Sequence, residues 1–326
     1  MNNPLTNISE ANRLRALKYA KHGGSIVYSI FRFALLVSIG FIILYPLLYM
    51  IITSISSATS FTNGTRVWIP TAFDVATNFE RAFYAMKYDT ALLNTLKYEV
   101  VSALLSVVSC AVIGYGFARF KFKGQGVLFG LVLLTAIVPV QVLSIPLYLN
   151  FRFMDFFGLT GLIGGLFGNP EFVIDVTNTP LTFYLPSLFA VGLRSGIFIF
   201  IYRQFFLGLP KELEEAAYID GAGPIKTFLS VIIPSSGVVF TTVTIFSIIW
   251  HWNEYYLSVL YFQTDFPLSV ALAGIGTVLE SQGLAFDSAA GPTSAACLLY
   301  ILPVLIMFIF MQKKFIQSVD RVGIVG

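Results

Sequence analysis

Few side chains in this sequence are spaced for covalent or metal chemistry. The two cysteines, Cys110 and Cys297, each lie in an apolar run, and the two histidines, His22 and His251, are far apart. Neither histidine has a cysteine or carboxylate neighbour at metal-ligand spacing, and no nucleophile–base set or glycine-rich phosphate loop is found. We interpret the cysteines as packing residues. We therefore expect no enzyme activity, metal or cofactor on this chain, and any ATP that it depends on must bind another protein.

The most informative residues lie in an acidic, alanine-rich run between Leu209 and Pro224. They are Glu215, Ala216, Ala217, Asp220 and Gly221. Acidic residues favour the start of a helix, Pro210 suits its first turn, and Gly221 can adopt the left-handed conformation that ends one. The small alanines would let the backbone of a partner approach closely, so we predict a short helix that fits a groove. The alternative is an amphipathic helix on the membrane surface, which usually carries Lys, Arg and large apolar residues.

Polar side chains inside apolar runs form a second set of candidates. They are Gln141, Arg194, Trp252, Asn253, Glu254 and Tyr255. An arginine near the centre of a bilayer costs about 2.5–3.5 kcal/mol, so Arg194 either donates hydrogen bonds to a substrate in a pore or forms an ion pair with another helix. The aromatic residues around Asn253 either stack on a ligand or belong to the aromatic belt at a membrane interface.

The elements that carry these residues are predicted to be membrane-spanning helices. Of the 326 residues, 56% are hydrophobic and 11% are charged, against about 25% charged in soluble domains, and the mean hydropathy is +0.80. We predict an all-α polytopic membrane protein with six transmembrane helices, since about 20 apolar residues cross a bilayer. The predicted spans are Ile26–Ser54, Thr95–Ala118, Val127–Leu149, Leu185–Phe206, Val231–Tyr256 and Ser294–Met311.

The spans place the polar candidates at particular depths. Gln141 lies between two prolines, which predicts a broken third span. Arg194 falls in the middle of the fourth span, between Gly192 and Gly196, whose spacing favours close packing of helices. The segment from Trp252 to Tyr255 lies near the outer end of the fifth span.

The positive charges predict the orientation. With both termini in the cytosol, twelve Lys and Arg residues lie in cytosolic segments and five lie outside, as the positive-inside rule expects. The outer segments are predicted to contain a surface helix at Phe79–Lys87 and a loop at Asn150–Tyr184. The chain then divides into a cytosolic arm (1–25), a first span with its outer loop (26–94), a core (95–311) with a cytosolic helix at about 209–224, and a cytosolic tail (312–326).

The acidic run resembles the EAA motif of bacterial ABC importer permeases. Glu215-Ala216-Ala217 is followed after three residues by Gly221, and Asp220-Gly221-Ala222 is similar to the DGA usually found in that motif. Val231 and Ile233 stand where the family more often has Ile and Leu. Three shorter segments and the tail are similar to carbohydrate-uptake permeases of the maltose-transporter type. The three are Asn94-Thr95-Leu96, Tyr115-Gly116-Phe117-Ala118-Arg119 and Trp252-Asn253-Glu254. The similarity covers roughly residues 30–326 and departs in a longer N-terminal arm and an enlarged outer loop around Asn169–Thr182.

This resemblance implies the type I ABC importer permease fold and a role in moving a sugar or oligosaccharide into the cytoplasm by alternating access. It implies a second homologous permease, two ABC ATPase subunits that carry ATP and Mg, and an extracytoplasmic solute-binding protein, in a bacterial cell membrane. The acidic helix would be the coupling helix, which sits in a cleft of the ATPase. No basic stripe indicates nucleic acid as a partner.

Three alternatives remain open. The first is an ABC importer permease for a non-sugar solute. The second is an ATP-independent secondary transporter, against which the absence of an internal repeat counts. The third is a membrane-embedded enzyme, for which no acid–base or nucleophile set is found. The basic tail either anchors the chain at the membrane or, by the resemblance, reaches between the ATPase subunits.

Overall fold

The computed structural model describes residues 4–60, 68–155, 158–167 and 172–323, with side chains between residues 28 and 313. The described residues are mainly helical and contain no β-strand, in agreement with the all-α prediction; two isolated bridges join Ser56 to Phe73 and Met154 to Ile174. In chain order the helices are α1 (Pro4–Ile55), α2 (Val75–Ala85), α3 (Tyr88–Thr95), α4 (Val101–Arg119), α5 (Gln125–Ile137), α6 (Val140–Arg152), α7 (Leu159–Leu166), α8 (Leu181–Leu188), α9 (Ser195–Gly208), α10 (Glu212–Ile219), α11 (Pro224–Thr227), α12 (Ile233–Ser235), α13 (Gly237–Trp252), α14 (Tyr256–Tyr261), α15 (Leu268–Ala273), α16 (Ile275–Ser281) and α17 (Phe286–Gly323).

Among the described residues, three helical stretches are long and apolar enough to cross a membrane unbroken. They are Tyr28–Ile55, Tyr88–Arg119 and Phe286–Lys313. The second stretch begins seven residues before its predicted start because α3 continues into α4 through a π-helical turn at Leu96–Val100. Two more candidates are bent pairs: α5 meets α6 at 102°, and the helix from Pro224 to Ser235 meets α13 at 82°.

The prediction of a continuous fourth span over Leu185–Phe206 is wrong. The chain leaves the helix between α8 and α9, where Ala190 and Arg194 take positive φ values of 54° and 58°. Residues other than glycine seldom adopt this conformation, so the sequence carried little local signal for the break. The count of six spans is accordingly not confirmed: three helices and two bent pairs account for five, and α9 is a shorter apolar helix of 14 residues.

The break between α5 and α6 has a local cause. Val138 is extended, with φ −67° and ψ 121°, because the ring of the following Pro139 disfavours the helical conformation of the residue before it. Pro146 lies inside α6 and does not end it. The predicted interruption next to Gln141 is therefore confirmed and lies on the N-terminal side of that residue.

α4 lies at the centre of the molecule and packs against α8, α9 and α13. A Cβ atom at Gly114 would lie 2.6 Å from the Cβ of Tyr202, so a glycine is required where α4 crosses α9. The same holds for Gly196, whose Cβ would lie 2.6 Å from the carbonyl oxygen of Val132 in α5. Small residues at these crossings let the backbones approach closely, as in other membrane helix pairs.

The first and last described residues lie in long helices. α1 runs from Pro4 to Ile55 without a break at the predicted boundary of residue 25, and α17 continues past residue 312 to Gly323. Between residues 28 and 48, α1 exposes most of its large apolar side chains, which suits a helix surrounded by lipid or by another membrane subunit.

The predicted outer segments are more helical than expected. The surface helix predicted at Phe79–Lys87 corresponds to α2, which is held by Asn78 through hydrogen bonds that its side-chain amide donates to the carbonyl oxygens of Ser54 and Ser56. The segment 150–184, predicted as mostly loop, contains α7 and the start of α8. Leu268–Ala273 and Ile275–Ser281 are helices within the segment that joins the fifth and sixth predicted spans.

Candidate functional site

The acidic run forms a short helix, α10, as the sequence predicts. The helix begins at Glu212, with Lys211 preceding it and three glutamates in its first turn. Pro210 lies just before the helix rather than in its first turn. The amide groups of Glu214 and Glu215 both donate to the carbonyl oxygen of Lys211, and the negative side chains complement the positive N-terminal end of the helix.

Gly221 ends α10 in the conformation that was predicted for it. Its φ is +78°, and the amide of Gly221 donates to the carbonyl oxygen of Tyr218 while that of Ala222 donates to Ala217. This pair of bonds is a Schellman motif, which requires a residue in the left-handed region. A Cβ at Gly221 would meet no atom within 4 Å, so the backbone conformation, and not crowding within this chain, favours glycine here.

α10 has one buried face and one exposed face. Glu214 and Ala217, three residues apart, are buried against the rest of the chain, whereas Glu215, Ala216 and Asp220 are exposed. The expectation that both alanines are open to a partner is therefore wrong for Ala217. The roles of the exposed residues toward a partner remain predictions.

The exposed face also carries large apolar side chains. Ile219 is 86% exposed, and Leu213 and Tyr218 are exposed as well. Beside α10 lies an open depression of about 590 Å³ lined by Gly223, Pro224, Ile225, Lys226, Leu229 and Ser230. Exposed large apolar side chains next to an acidic helix are typical of a protein-binding site.

Arg119, the last residue of α4, holds the buried face of α10 in place. Its Nε donates to Oε1 of Glu214 at 2.6 Å, and its Nη2 donates to the carbonyl oxygen of Leu209 at 3.0 Å. Both charged side chains are less than 10% exposed. Sequence reasoning missed this role of Glu214, although the spacing of Glu214 and Ala217, which places both on one helix face, was an available signal.

The second candidate region lies at the breaks between helices. α9 begins at Ser195 and runs about 21 Å to Gly208 near the start of α10, since a helix rises 1.5 Å per residue. Gly196, just after this break, packs on Val132 and Thr135 of α5, a few residues before the break at Pro139. The break before α9 and the break after α5 therefore lie at a similar level along the axes of these two packed helices. α13 ends at Trp252 near the same level, since the ring of Trp250 contacts both Arg194 and Phe198.

Arg194 precedes α9 and does not lie in the middle of a helix as predicted. Its φ is +58°, its side chain is exposed, and the guanidinium carbon lies 5.7 Å from the ring centroid of Trp250. Among the described residues it forms no ion pair. Lipid contact would be costly for this charge, so the exposed side must face water or another protein. Of the flanking glycines, Gly196 serves helix packing as expected, whereas Gly192 packs on Ser187 near the end of the preceding helix, α8.

The other pathway candidates divide by burial. Gln141, Asn253 and Tyr255 are exposed. Trp252 is 3% exposed, and its Nε1 donates to the carbonyl oxygen of Tyr300 at 3.3 Å. In this structure its ring is buried and is open neither to a ligand nor to a membrane interface, so the burial supports neither interpretation of Trp252.

Glu254 is also buried and belongs to a polar cluster that sequence reasoning missed. Its Oε1 accepts from the amide of Leu257, and Ser258 donates to both the Glu254 carbonyl oxygen and Oε1 of Glu99. Glu99 is fully buried. A carboxyl group within an apolar span was the available signal. No group of three or more His, Cys, Asp or Glu residues that could hold a metal is found in the described part of the chain.

Comparisons with known proteins agree with this architecture. The family model described as "Binding-protein-dependent transport system inner membrane component" matches residues 111–321. The arabinooligosaccharides transport system permease protein AraQ of Halalkalibacterium halodurans is 29% identical over 294 residues, covering 88% of this chain and 93% of the relative. The lactose transport system permease protein LacG of Rhizobium radiobacter is 24% identical, covering 89% and 94%.

Another relative has a different printed substrate: the sn-glycerol-3-phosphate permease UgpE of Yersinia pestis is 26% identical and covers 70% of this chain and 71% of the relative. A similar fold is found in the crystal structure of a bacterial ABC transporter involved in the import of the acidic polysaccharide alginate. The TM-score is 0.67 at 23% identity, over 89% of this chain and 96% of that one. The family model matches more than half of the length of this chain. The chain therefore belongs to the binding-protein-dependent transport system inner membrane components.

Proposed function

We propose that this chain is one permease subunit of an ATP-driven importer that moves a sugar or oligosaccharide into the cytoplasm of a bacterium. The complete importer would contain a second homologous permease, two ABC ATPase subunits that bind ATP and Mg, and an extracytoplasmic solute-binding protein. Both termini of this chain would lie in the cytosol, as its distribution of Lys and Arg favours.

The observation that carries the proposal is the two-faced helix α10. Its inner face is fixed to the end of α4 through Glu214 and Arg119, and its outer face exposes Glu215, Ala216 and Ile219. A capped helix that is anchored on one side and exposes both acidic and apolar side chains on the other is suited to fit a groove in a partner. A secondary transporter or a membrane enzyme has no need of such a helix.

In the proposed cycle, ATP-driven closure of the two ATPase subunits draws the coupling helices of the two permeases together. The membrane helices then change from inward-facing to outward-facing, and the cavity receives the solute from the docked binding protein. Ligands shift this equilibrium by binding the two states with different affinity. Tight binding in the cavity would oppose release into the cytoplasm, so we expect a weak site within this chain.

The residues around the helix breaks favour a carbohydrate. Gln141, Asn253 and Tyr255 are exposed amide and aromatic side chains, which suit neutral polyhydroxylated ligands. The oligosaccharide and lactose permeases among the relatives support the same class. Arg194 leaves room for an anionic group, and the glycerol phosphate permease makes a small anionic solute the second candidate.

Co-purification followed by reconstitution tests the proposal. The chain would be expressed together with the second permease, the ATPase and the solute-binding protein of its importer. The complex would then be purified in detergent and placed in liposomes. We expect a stable complex that takes up an oligosaccharide when ATP and Mg are supplied on the ATPase side. Uptake without ATP by this chain alone would identify a secondary transporter, and ATP-driven uptake of glycerol phosphate but of no sugar would favour the second candidate.

A further inference from the structure

We propose that the ion pair between Arg119 and Glu214, named here the α4–α10 ion pair, transmits movement of the coupling helix to the membrane helices. The inference rests on the proposed function, because it assigns a route to the coupling on which that function depends. Arg119 and Glu214 would be positioning residues, since neither is expected to contact ATP or the solute.

The geometry of the pair supports this role. Arg119 binds on both sides of the start of α10: one donor reaches the carbonyl oxygen of Leu209, before the helix, and another reaches the carboxylate of Glu214 in its first turn. Both side chains are nearly buried. A buried charge pair is less screened by water than one at the surface, and the planar guanidinium fixes the direction of both bonds.

The connections on either side of α10 are less able to transmit a displacement. Leu209 is extended, with ψ 137°, and the chain after α10 passes through Gly221 and Gly223. The other buried residue of α10, Ala217, is apolar. Apolar packing is non-directional, so it can slide where the two bonds of Arg119 cannot.

Hydrogen bonds continue from α4 to the helices around the breaks. Oγ of Ser109 in α4 donates to the carbonyl oxygen of Ser187 in α8 at 2.6 Å. Oγ of Ser247 in α13 donates to the carbonyl oxygen of Ala103 in α4 at 3.0 Å. α4 also contacts α9 closely at Gly114. A displacement of α10 that reaches α4 would therefore reach α8, α9 and α13, which flank the candidate substrate pathway.

The test uses the complete importer in liposomes and measures solute taken up per ATP hydrolysed. Glu214→Gln removes one charge of the pair, and Glu280→Gln is the matched control: Glu280 lies in α16, away from α10, is exposed and is in no ion pair among the described residues. For Glu214→Gln we expect an assembled complex that still hydrolyses ATP and an uptake per ATP that is about tenfold lower, in the range by which residues on a coupling route alter coupling. For the control we expect the wild-type ratio.

A second variant separates transmission from folding. Replacing both partners, Arg119→Met with Glu214→Leu, avoids leaving one charge buried without its partner, which is the usual cause of strong destabilisation. We expect this double variant to assemble with the ATPase and to keep the low uptake per ATP of Glu214→Gln.

Two results would overturn the inference while leaving the proposed function intact. One is a wild-type ratio of uptake to ATP hydrolysis in the double variant, which would show that packing alone suffices. The other is a loss of uptake and hydrolysis in equal proportion in Glu214→Gln, which would indicate a role in assembly. Failure of the wild-type complex to couple uptake to ATP would instead contradict the proposed function.

Discussion

The proposed coupling surface, which is the exposed face of α10, and the candidate substrate pathway at the helix breaks differ in how the chain builds them. The coupling surface comes from one short segment: the helix and its cap are specified within residues 209–224, and Arg119 fixes which face is buried. The pathway comes from breaks that are far apart in sequence, after Ile137, before Ser195 and after Trp252. Local chemistry therefore determines the first region, whereas the packing of α4, α5, α9 and α13 determines the second.

The largest expected effect concerns the local region. Gly221→Val should abolish uptake and weaken attachment of the ATPase, because a β-branched residue is strained at φ +78°. Gly223→Ala is the control: Gly223 has an ordinary φ of −79° and open space at its Cβ position, so we expect near wild-type uptake. Transport assays and co-purification measure both effects. Wild-type uptake and ATPase retention in Gly221→Val would contradict the coupling-helix assignment.

The next effect concerns the pathway. If Arg194 faces the solute, Arg194→Gln should reduce uptake of a uronic oligosaccharide about tenfold or more, since a hydrogen bond to a charged group contributes about 1.5–3 kcal/mol. Uptake of a matched neutral oligosaccharide should change little. Both are measured in the same reconstituted membranes. An equal loss for the two solutes would assign Arg194 a structural role.

These two regions also show how much could be predicted from sequence. The lengths of apolar runs predicted an all-α membrane protein, and Gly221 predicted the end of α10, because both signals are local. The break before α9 could not be predicted, since Ala190 and Arg194 are held at positive φ by their surroundings. The burial of Trp252 depended on Tyr300, a residue 48 positions away.

A third, smaller effect tests that burial. Tyr300→Phe removes a hydroxyl that donates to the Trp252 carbonyl oxygen and to Oδ1 of Asn253. We expect a loss of about 1 kcal/mol in the free energy of unfolding, seen as a lower melting temperature in detergent, with the substrate preference unchanged. Tyr255→Phe, at an exposed position, is the control for stability. A changed preference for substrates in Tyr300→Phe would show that the Trp252 side chain itself contributes to the pathway.

The smallest effect concerns the outer surface, where α7 again depends on local chemistry. The hydroxyl of Thr160 and the amide of Gly161 both donate to the Asp155 carboxylate. These two bonds, of which that from Thr160 has the larger effect, lower the pKa of the carboxyl group. A lowered folded-state pKa means that the contribution to stability is present above the ordinary aspartate pKa and is lost as pH falls through the folded-state value. We expect hydrogen-exchange protection of α7 to be constant from pH 7 to about pH 5 and to fall at lower pH. Asp155→Asn should remove that pH dependence, and persistence of the pH dependence would contradict this account.

The most direct test of the central claim is the accessibility of the two neighbouring alanines of α10. With Cys110 and Cys297 replaced by serine, Ala216→Cys and Ala217→Cys would each be treated with a membrane-impermeant thiol reagent, with and without the ATPase subunits. We predict that Ala216→Cys reacts rapidly and is protected by the ATPase, whereas Ala217→Cys, which faces the permease itself, reacts slowly in both conditions. Equal reactivity of Ala216→Cys with and without the ATPase would contradict the assignment of this face as the coupling surface.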